Sequence, residues 1–140
     1  MRKFSLCFLL CLLVGLLIIP QADLTASASQ AANATDLVAE INGWGIGLSA
    51  ALSGNTVTVT GSAAGQNVNR SLEIPENVTL DWKADYSGEV ASESMLYFSG
   101  KGTVDISGGK INNSGDKSST IEIILPVFTV GGGEVIASGN

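Results

Sequence analysis

The chain has 140 residues, 13 of them acidic and 7 basic, giving a net charge of −6, with two cysteines and no histidine. Without histidine the commonest general base and the commonest zinc ligand are missing, which removes Ser/His/Asp and Cys/His catalysis and tetrahedral zinc chemistry. The acidic balance repels phosphate backbones, so nucleic acid is not an expected partner, and the plainest service of the charge is solubility.

Arg2 and Lys3 precede an uncharged apolar run from Phe4 to Ile19, which gives way after Pro20 to small and polar residues. That three-part layout is a secretory signal peptide over residues 1–28. Ala26-Ser27-Ala28 supplies the small side chains that a shallow peptidase pocket accepts, placing the cut after Ala28 with Ala32 as a fallback. The competing reading is an uncleaved anchor, because the run approaches the ~20 apolar residues that span a bilayer. Cys7 and Cys11 sit within that run, without the small residues and cleavage point of a lipid-modified cysteine, and leave with the leader. The expected location is therefore secreted or cell-surface, with the membrane touched only through the signal peptide. What remains, about 110 residues, suffices for one domain with a modest core and no disulfide.

Residues 29–35 are small and polar, the composition of a flexible lead-in. Leu37, Val38 and Ile41 then fall at helical spacing, with Thr35 or Asp36 as N-cap and Gly43 as stop, predicting a short helix over 36–41. A second helical turn is expected from Leu48 to Leu52, so that 29–54 reads as lead-in and helical cap. After Asn55 the period becomes alternating. Thr56-Val57-Thr58-Val59-Thr60 sets valines against threonines, and Leu72, Ile74, Val78, Leu80, Trp82 and Ala84 continue the theme, with Pro75 between two strands. Met95 to Phe98 is a continuous apolar run suited to burial on both faces. Val104 and Ile106 alternate with polar neighbours, and Ile121, Ile123 and Leu125 alternate with Thr120, Glu122 and the exception Ile124.

The most informative feature is an internal repeat. Ile106-Ser107-Gly108-Gly109-Lys110-Ile111-Asn112-Asn113-Ser114-Gly115 aligns without a gap on Val130-Gly131-Gly132-Gly133-Glu134-Val135-Ile136-Ala137-Ser138-Gly139, an offset of 24 with four identities. A looser copy ends in Ser87-Gly88. A period of 24, with short strands split by glycine corners, fits one coil of a parallel β-solenoid, in which each coil covers the apolar edge of its neighbour. Glycine suits such corners because the chain turns there with positive φ. Val104, Ile106 and Ile111 are expected to point inward and to stack on Ile121 or Ile123, Val130 and Val135. The fold class read from the sequence is all-β, a partial parallel β-helix over 55–140 with a short N-terminal helical segment. An antiparallel β-sandwich with two similar hairpins is the alternative.

The stretch from Asn55 to Gly115, with TVTVTGS, LEIPENVTLDWKADYSG and FSGKGTVDISGGKINNSG, resembles the N-terminal part of large bacterial secreted or surface proteins of the adhesin-like, pectate-lyase-like β-helix type. The resemblance implies a right-handed β-helix and a surface-exposed, carbohydrate-associated or adhesive role, and it carries over no catalytic residue. Such proteins run for many coils and finish in a cap or wall anchor, whereas Ser138-Gly139-Asn140 falls mid-repeat. The expectation is a shortened product, a fragment of a longer gene, or self-association through an uncapped coil. Leu125-Pro126-Val127-Phe128-Thr129 is not a sortase anchor, since its threonine is one position late.

Among candidate sites, Asp81, Lys83 and Asp85 are expected to project along one strand, opposite Trp82 and Ala84. They read either as a calcium or sugar-acid site or as a charge-balanced outer face, and the second is preferred. Trp82 and Tyr86 could stack on sugars, but register places Trp82 in the core. Trp44, between Gly43 and Gly45, has no such register. Asn33, Asn69, Asn77 and Asn112 open glycosylation-type triplets that carry no weight behind a bacterial leader. No catalytic residue, metal ligand or cofactor is assigned. The sequence thus points to a non-enzymatic secreted or surface structural or adhesive module, with extracellular glycan or cell-surface components as partners. A polyuronate-lyase-like enzyme using Lys83 or Arg70 is the alternative.

Overall fold

The computed structural model describes residues 22–139, with side chains from Asn33 onward. The expected leader lies mostly outside these residues, and Cys7 and Cys11 wholly so. Among the described residues one helix, α1 (Ala22–Gly43), precedes eleven strands: β1 (Leu48–Ser53), β2 (Thr56–Gln66), β3 (Arg70–Ile74), β4 (Thr79–Trp82), β5 (Asp85–Gly88), β6 (Leu96–Gly100), β7 (Thr103–Ile106), β8 (Lys110–Asn113), β9 (Ile121–Ile124), β10 (Val127–Val130) and β11 (Glu134–Ala137). No described helix is long and apolar enough to cross a membrane.

The strands wind into a three-sided parallel solenoid. The first face runs β2-β4-β7-β10, the second β2-β5-β8-β11 and the third β3-β6-β9, with every pairing parallel except that of β1 with β2. This architecture excludes the sandwich. The repeat is realised as backbone register: Thr103 lies beside Val127 and Lys110 beside Glu134, both 24 residues apart. The corners are tied as well, with the Thr103 amide donating to the Val78 carbonyl at 2.9 Å and the Gly131 amide to the Ile106 carbonyl at 3.1 Å.

The core consists of columns of side chains that the alternating pattern turns inward. Val57, Leu80, Val104 and Phe128 form one; Val59, Trp82, Ile106 and Val130 a second; Ala63, Tyr86, Ile111 and Val135 a third. Trp82 is fully buried, edge-on to Tyr86 at 6.0 Å and to Phe98 at 6.3 Å, and its indole N–H donates to the Ala84 carbonyl at 2.9 Å. Val130 and Val135 thus sit over Ile106 and Ile111 as expected. Val104, however, is covered by Phe128, while Ile121 and Ile123 continue the column positions of Leu96 and Phe98 on the third face. Tyr97, within the continuous apolar run, turns outward and is half-exposed, so β6 is buried on one face only.

The N-terminal region differs from its expected form. The helix runs back through 29–35 to Ala22, and Ala34, Leu37 and Ile41 bury one stripe against the first coil. Leu48 to Leu52 is not helical. It forms β1, a hairpin partner of β2 through Gly54-Asn55, with Leu48 and Ala50 buried and Ser49 and Ala51 exposed. The free edge of β2 demands a strand, and that tertiary demand overrides the weak helical spacing of a Leu/Ala/Ser segment. The outer edge of β1 is itself stopped by Asn42. Its side-chain amide donates to the Ala50 carbonyl at 3.0 Å and accepts from the Ala50 amide at 2.8 Å, occupying the groups a further strand would use.

The two glycine corners serve different needs. Gly109 has φ +67°, and a Cβ there would stand 2.3 Å from the Ala84 carbonyl oxygen. Gly133 lacks positive φ, yet its Cβ would lie 2.6 Å from both the Gly108 oxygen and Ile106 Cγ2, so here close coil-to-coil approach, not a left-handed turn, selects glycine. Gly131→Ala, which meets only the Asp105 carboxylate at 3.5 Å, is expected to change stability by less than about 0.5 kcal/mol. Gly109→Ala is expected to cost about 3 kcal/mol, from backbone strain and collision together. Urea titration of both variants checks the contrast.

Candidate functional site

Asp81, Lys83 and Asp85 do not share a strand. Asp81 is the penultimate residue of β4 on the first face, Lys83 occupies the corner, and Asp85 opens β5 on the second face. Alternation continues through the bend, which is why the sequence reads as one strand. Lys83 and Asp85 are exposed, and the Lys83 ammonium lies 2.9 Å from an Asp81 carboxylate oxygen.

Asp81 instead belongs to a ladder running up the outside of the first face. Thr58, Asp81, Asp105 and Thr129 are successive register partners. The Thr58 hydroxyl donates to Asp81 at 3.5 Å, the Ser107 hydroxyl also donates to Asp81, and the Thr129 hydroxyl donates to Asp105 at 2.8 Å. Thr56, Thr79 and Thr103 form a parallel column beside it. The flat face therefore presents hydroxyls and carboxylates at strand spacing, ~4.8 Å. Asp105 was not among the sequence candidates, although it follows Asp81 by the period of 24.

Burial works to raise the Asp81 carboxyl, but the Ser107 hydroxyl, the Lys83 ammonium and the Thr58 hydroxyl outweigh it and leave the group below its ordinary range. These contacts lower the charged form's energy.

The aromatic candidates and Arg70 gather at the N-terminal end of the solenoid. Arg70 occupies the inward position that Leu96 fills one coil later. Its guanidinium carbon sits 5.2 Å from the centroid of the Trp44 ring, and Trp44 is tilted against Tyr86 with centroids 6.5 Å apart. Among the described residues, the Tyr86 hydroxyl and Arg70 Nε are buried without a hydrogen-bond partner. Burial pushes the Tyr86 phenol above its usual range, and the neighbouring Arg70 cation offsets part of that. Trp82 and Tyr86 are fully buried and serve as core, while the partly buried Trp44, with Arg70 over its ring, caps them.

Two grooves were not foreseen. One, of ≈ 480 Å³, lies between α1 and the corner after β3, lined by Asp36, Glu40, Glu73, Glu76 and Lys101, with burial holding the Glu40 carboxyl above its usual value. The other, of ≈ 350 Å³, lies beside the third face, lined by Asn69, Ser71, Glu93, Tyr97 and Glu122. The register series Ser71, Tyr97, Glu122 could have indicated it. Among the described residues no three of His, Cys, Asp and Glu gather where they could hold a metal ion. No family model, curated protein or solved structure matches the chain.

The lowered Asp81 value fixes a pH dependence. The unfolded carboxyl titrates near ~3.9, so the stability contributed by its contacts is complete above that value and is lost as pH falls through the lower folded value. Asp81→Asn is expected to lose less stability than the parent between pH 6 and pH 3, read by chemical denaturation at each pH.

Proposed function

We propose that this chain is a non-enzymatic, exported structural or adhesive β-solenoid module that works at the cell surface through its flat outer faces. The observation that carries this reading is the ladder of Thr58, Asp81, Asp105 and Thr129. Polar groups are repeated along a face at fixed spacing, where they can meet a hydroxyl-rich polymer, and they do not converge on a point where a bond could be broken. The leader read in the first 28 residues supports export, and the resemblance to adhesin-like β-helix proteins supports a surface role. A cut after Ala28 leaves Ala34, Leu37 and Ile41 in place, so the helical cap survives processing.

Polyuronate lyase chemistry is the competing activity. It needs a base free to abstract a proton beside groups that stabilise the resulting charge. Lys83 is held by Asp81, and Arg70 lies across the molecule's N-terminal end against Trp44.

Expression in a bacterial host is expected to yield exported protein whose N-terminal residue, by Edman sequencing, is Ser29. The purified protein is expected to give no unsaturated product from polygalacturonate with calcium, followed by ultraviolet absorbance. It should retain defined polysaccharides on a glycan array, with retention weakened by Asp105→Ala. Lyase activity abolished by Lys83→Ala would overturn the non-enzymatic reading, and protein retained in the cytoplasm would overturn export.

A further inference from the structure

Tyr97 departs from the pattern that governs the other rings. Among the described residues it is the only aromatic side chain at an outward strand position: Trp82, Tyr86 and Phe98 are buried, and Phe128 continues an inward column. Its parallel partners on the third face are Ser71 in the coil before and Glu122 in the coil after, each ~4.8 Å away. These three form one wall of the ≈ 350 Å³ groove.

The other wall is carried by the segment that leads into β6, and it is tied to both neighbouring coils. The Asn69 side-chain amide donates to the Ser94 carbonyl, the Arg70 amide to the Met95 carbonyl at 3.0 Å, and the Met95 amide to the Ser119 carbonyl at 3.1 Å. Ser94 is itself buried, so Ser92 and Glu93 are presented on an anchored rim. A groove held this way is formed before any ligand arrives, which lowers the ordering cost of binding.

The lining selects by charge. No basic side chain borders the groove, and among the described residues neither Glu93 nor Glu122, both exposed, enters a salt bridge or a hydrogen bond. The carboxylates of the first face are in the opposite condition, with Asp81 held by Ser107 and Lys83 and Asp105 by Thr129. An anionic ligand would meet two uncompensated like charges in the groove, whereas a cation gains from both carboxylates and from the ring face. The hydroxyls of Ser71 and Ser92 remain for neutral polar groups of the same ligand. The volume lies at the small end of the range for ligand sites, ~300–1,000 Å³, which suits one unit of a chain.

We propose that this groove is a subsite for an amino sugar with a free ammonium group, held as one unit of a polymer. Tyr97 takes the C–H face of the sugar ring, Glu93 and Glu122 take the ammonium, and Ser71 and Ser92 take ring hydroxyls. A neutral sugar would leave the carboxylates unused, and a simple alkylammonium would leave the hydroxyls unused. The inference rests on the reading of a surface module that faces a hydroxyl-rich polymer, and it adds to that reading the charge of the polymer and the place where one unit sits.

Isothermal titration of the processed chain at mildly acidic pH, where sugar amines are protonated, tests it with four probes: a glucosamine hexamer, its fully N-acetylated counterpart, a glucose hexamer and trilysine. The glucosamine hexamer is expected to bind about tenfold or more tightly than each of the others. Tyr97→Ala and Glu122→Gln should each weaken that binding about tenfold, and Tyr97→Phe, which keeps the ring, should retain most of it. Glu134→Gln, at an exposed carboxylate on the second face, should leave it unchanged. Circular dichroism checks that each variant stays folded. Absence of binding, equal affinity for the acetylated hexamer, the glucose hexamer or trilysine, or indifference to both Tyr97→Ala and Glu122→Gln would overturn the proposal. Retention of a neutral polysaccharide weakened by Asp105→Ala, without preference for the amine, would overturn this inference alone, whereas retention of no polysaccharide at all would remove the polymer-facing reading with it.

Discussion

Every apolar side chain in the interior of this solenoid finds its partners in the coil below and the coil above, because a single coil of three short strands encloses too little to bury anything by itself. Val59 is covered by Trp82 and Trp82 by Ile106, in strict register, and the parallel ladder that holds the strands also holds the columns. Stability is therefore cooperative along the axis. The widest side chains, Trp82, Tyr86 and Phe98, meet edge to face in the second coil, where they are covered from both directions and fully buried.

The outer surface inherits its order from the same constraint. Backbone register that sets Leu80 beside Val57 and Trp82 beside Val59 also sets Asp81 beside Thr58, since successive residues face opposite sides. A slip of one residue would turn Asp81 and Asp105 inward and the core columns outward. Spacing of the polar groups is thus fixed by packing that those groups do not take part in. Stacked carboxylates at Asp81 and Asp105 would repel, and the hydroxyls of Ser107, Thr58 and Thr129 with the Lys83 ammonium are the groups that offset this.

Much of this could be read from the residues alone, and the exceptions have physical causes. The repeat that relates Ile106 to Val130 and Ile111 to Val135 predicted both the architecture and two correct stacking pairs, because in a solenoid the sequence period and the coil are the same object. Trp82 was placed inward by simple alternation. Leu48 to Leu52 reads as a helical turn because its apolar residues suit a helix as well as a strand, and only the unpaired edge of β2 decides. The corner at Lys83 and Ala84 carries no glycine and leaves no mark in the sequence, so Asp81 and Asp85 read as one strand. Arg70 would be assigned to the surface by its charge. Its inward place depends on the ring of Trp44, a contact between segments far apart in sequence. The glycines of 131–133 share a composition with those at 108–109 but not a backbone conformation, and composition cannot separate a left-handed turn from a close approach.

Engineered disulfides across neighbouring coils probe the register most directly, because Cys7 and Cys11 fall within the expected leader and the processed chain would hold no other cysteine. Thr79 and Thr103 are adjacent parallel partners facing outward, and partners on neighbouring strands have Cα atoms ~4.8 Å apart, within the range a disulfide spans. The account predicts that Thr79→Cys with Thr103→Cys oxidises readily to an intramolecular bond in the folded monomer, whereas Thr79→Cys with Val104→Cys, whose side chains lie on opposite faces, does not. Equal oxidation of both pairs, or of the second alone, would contradict the stacked register on which the structure rests.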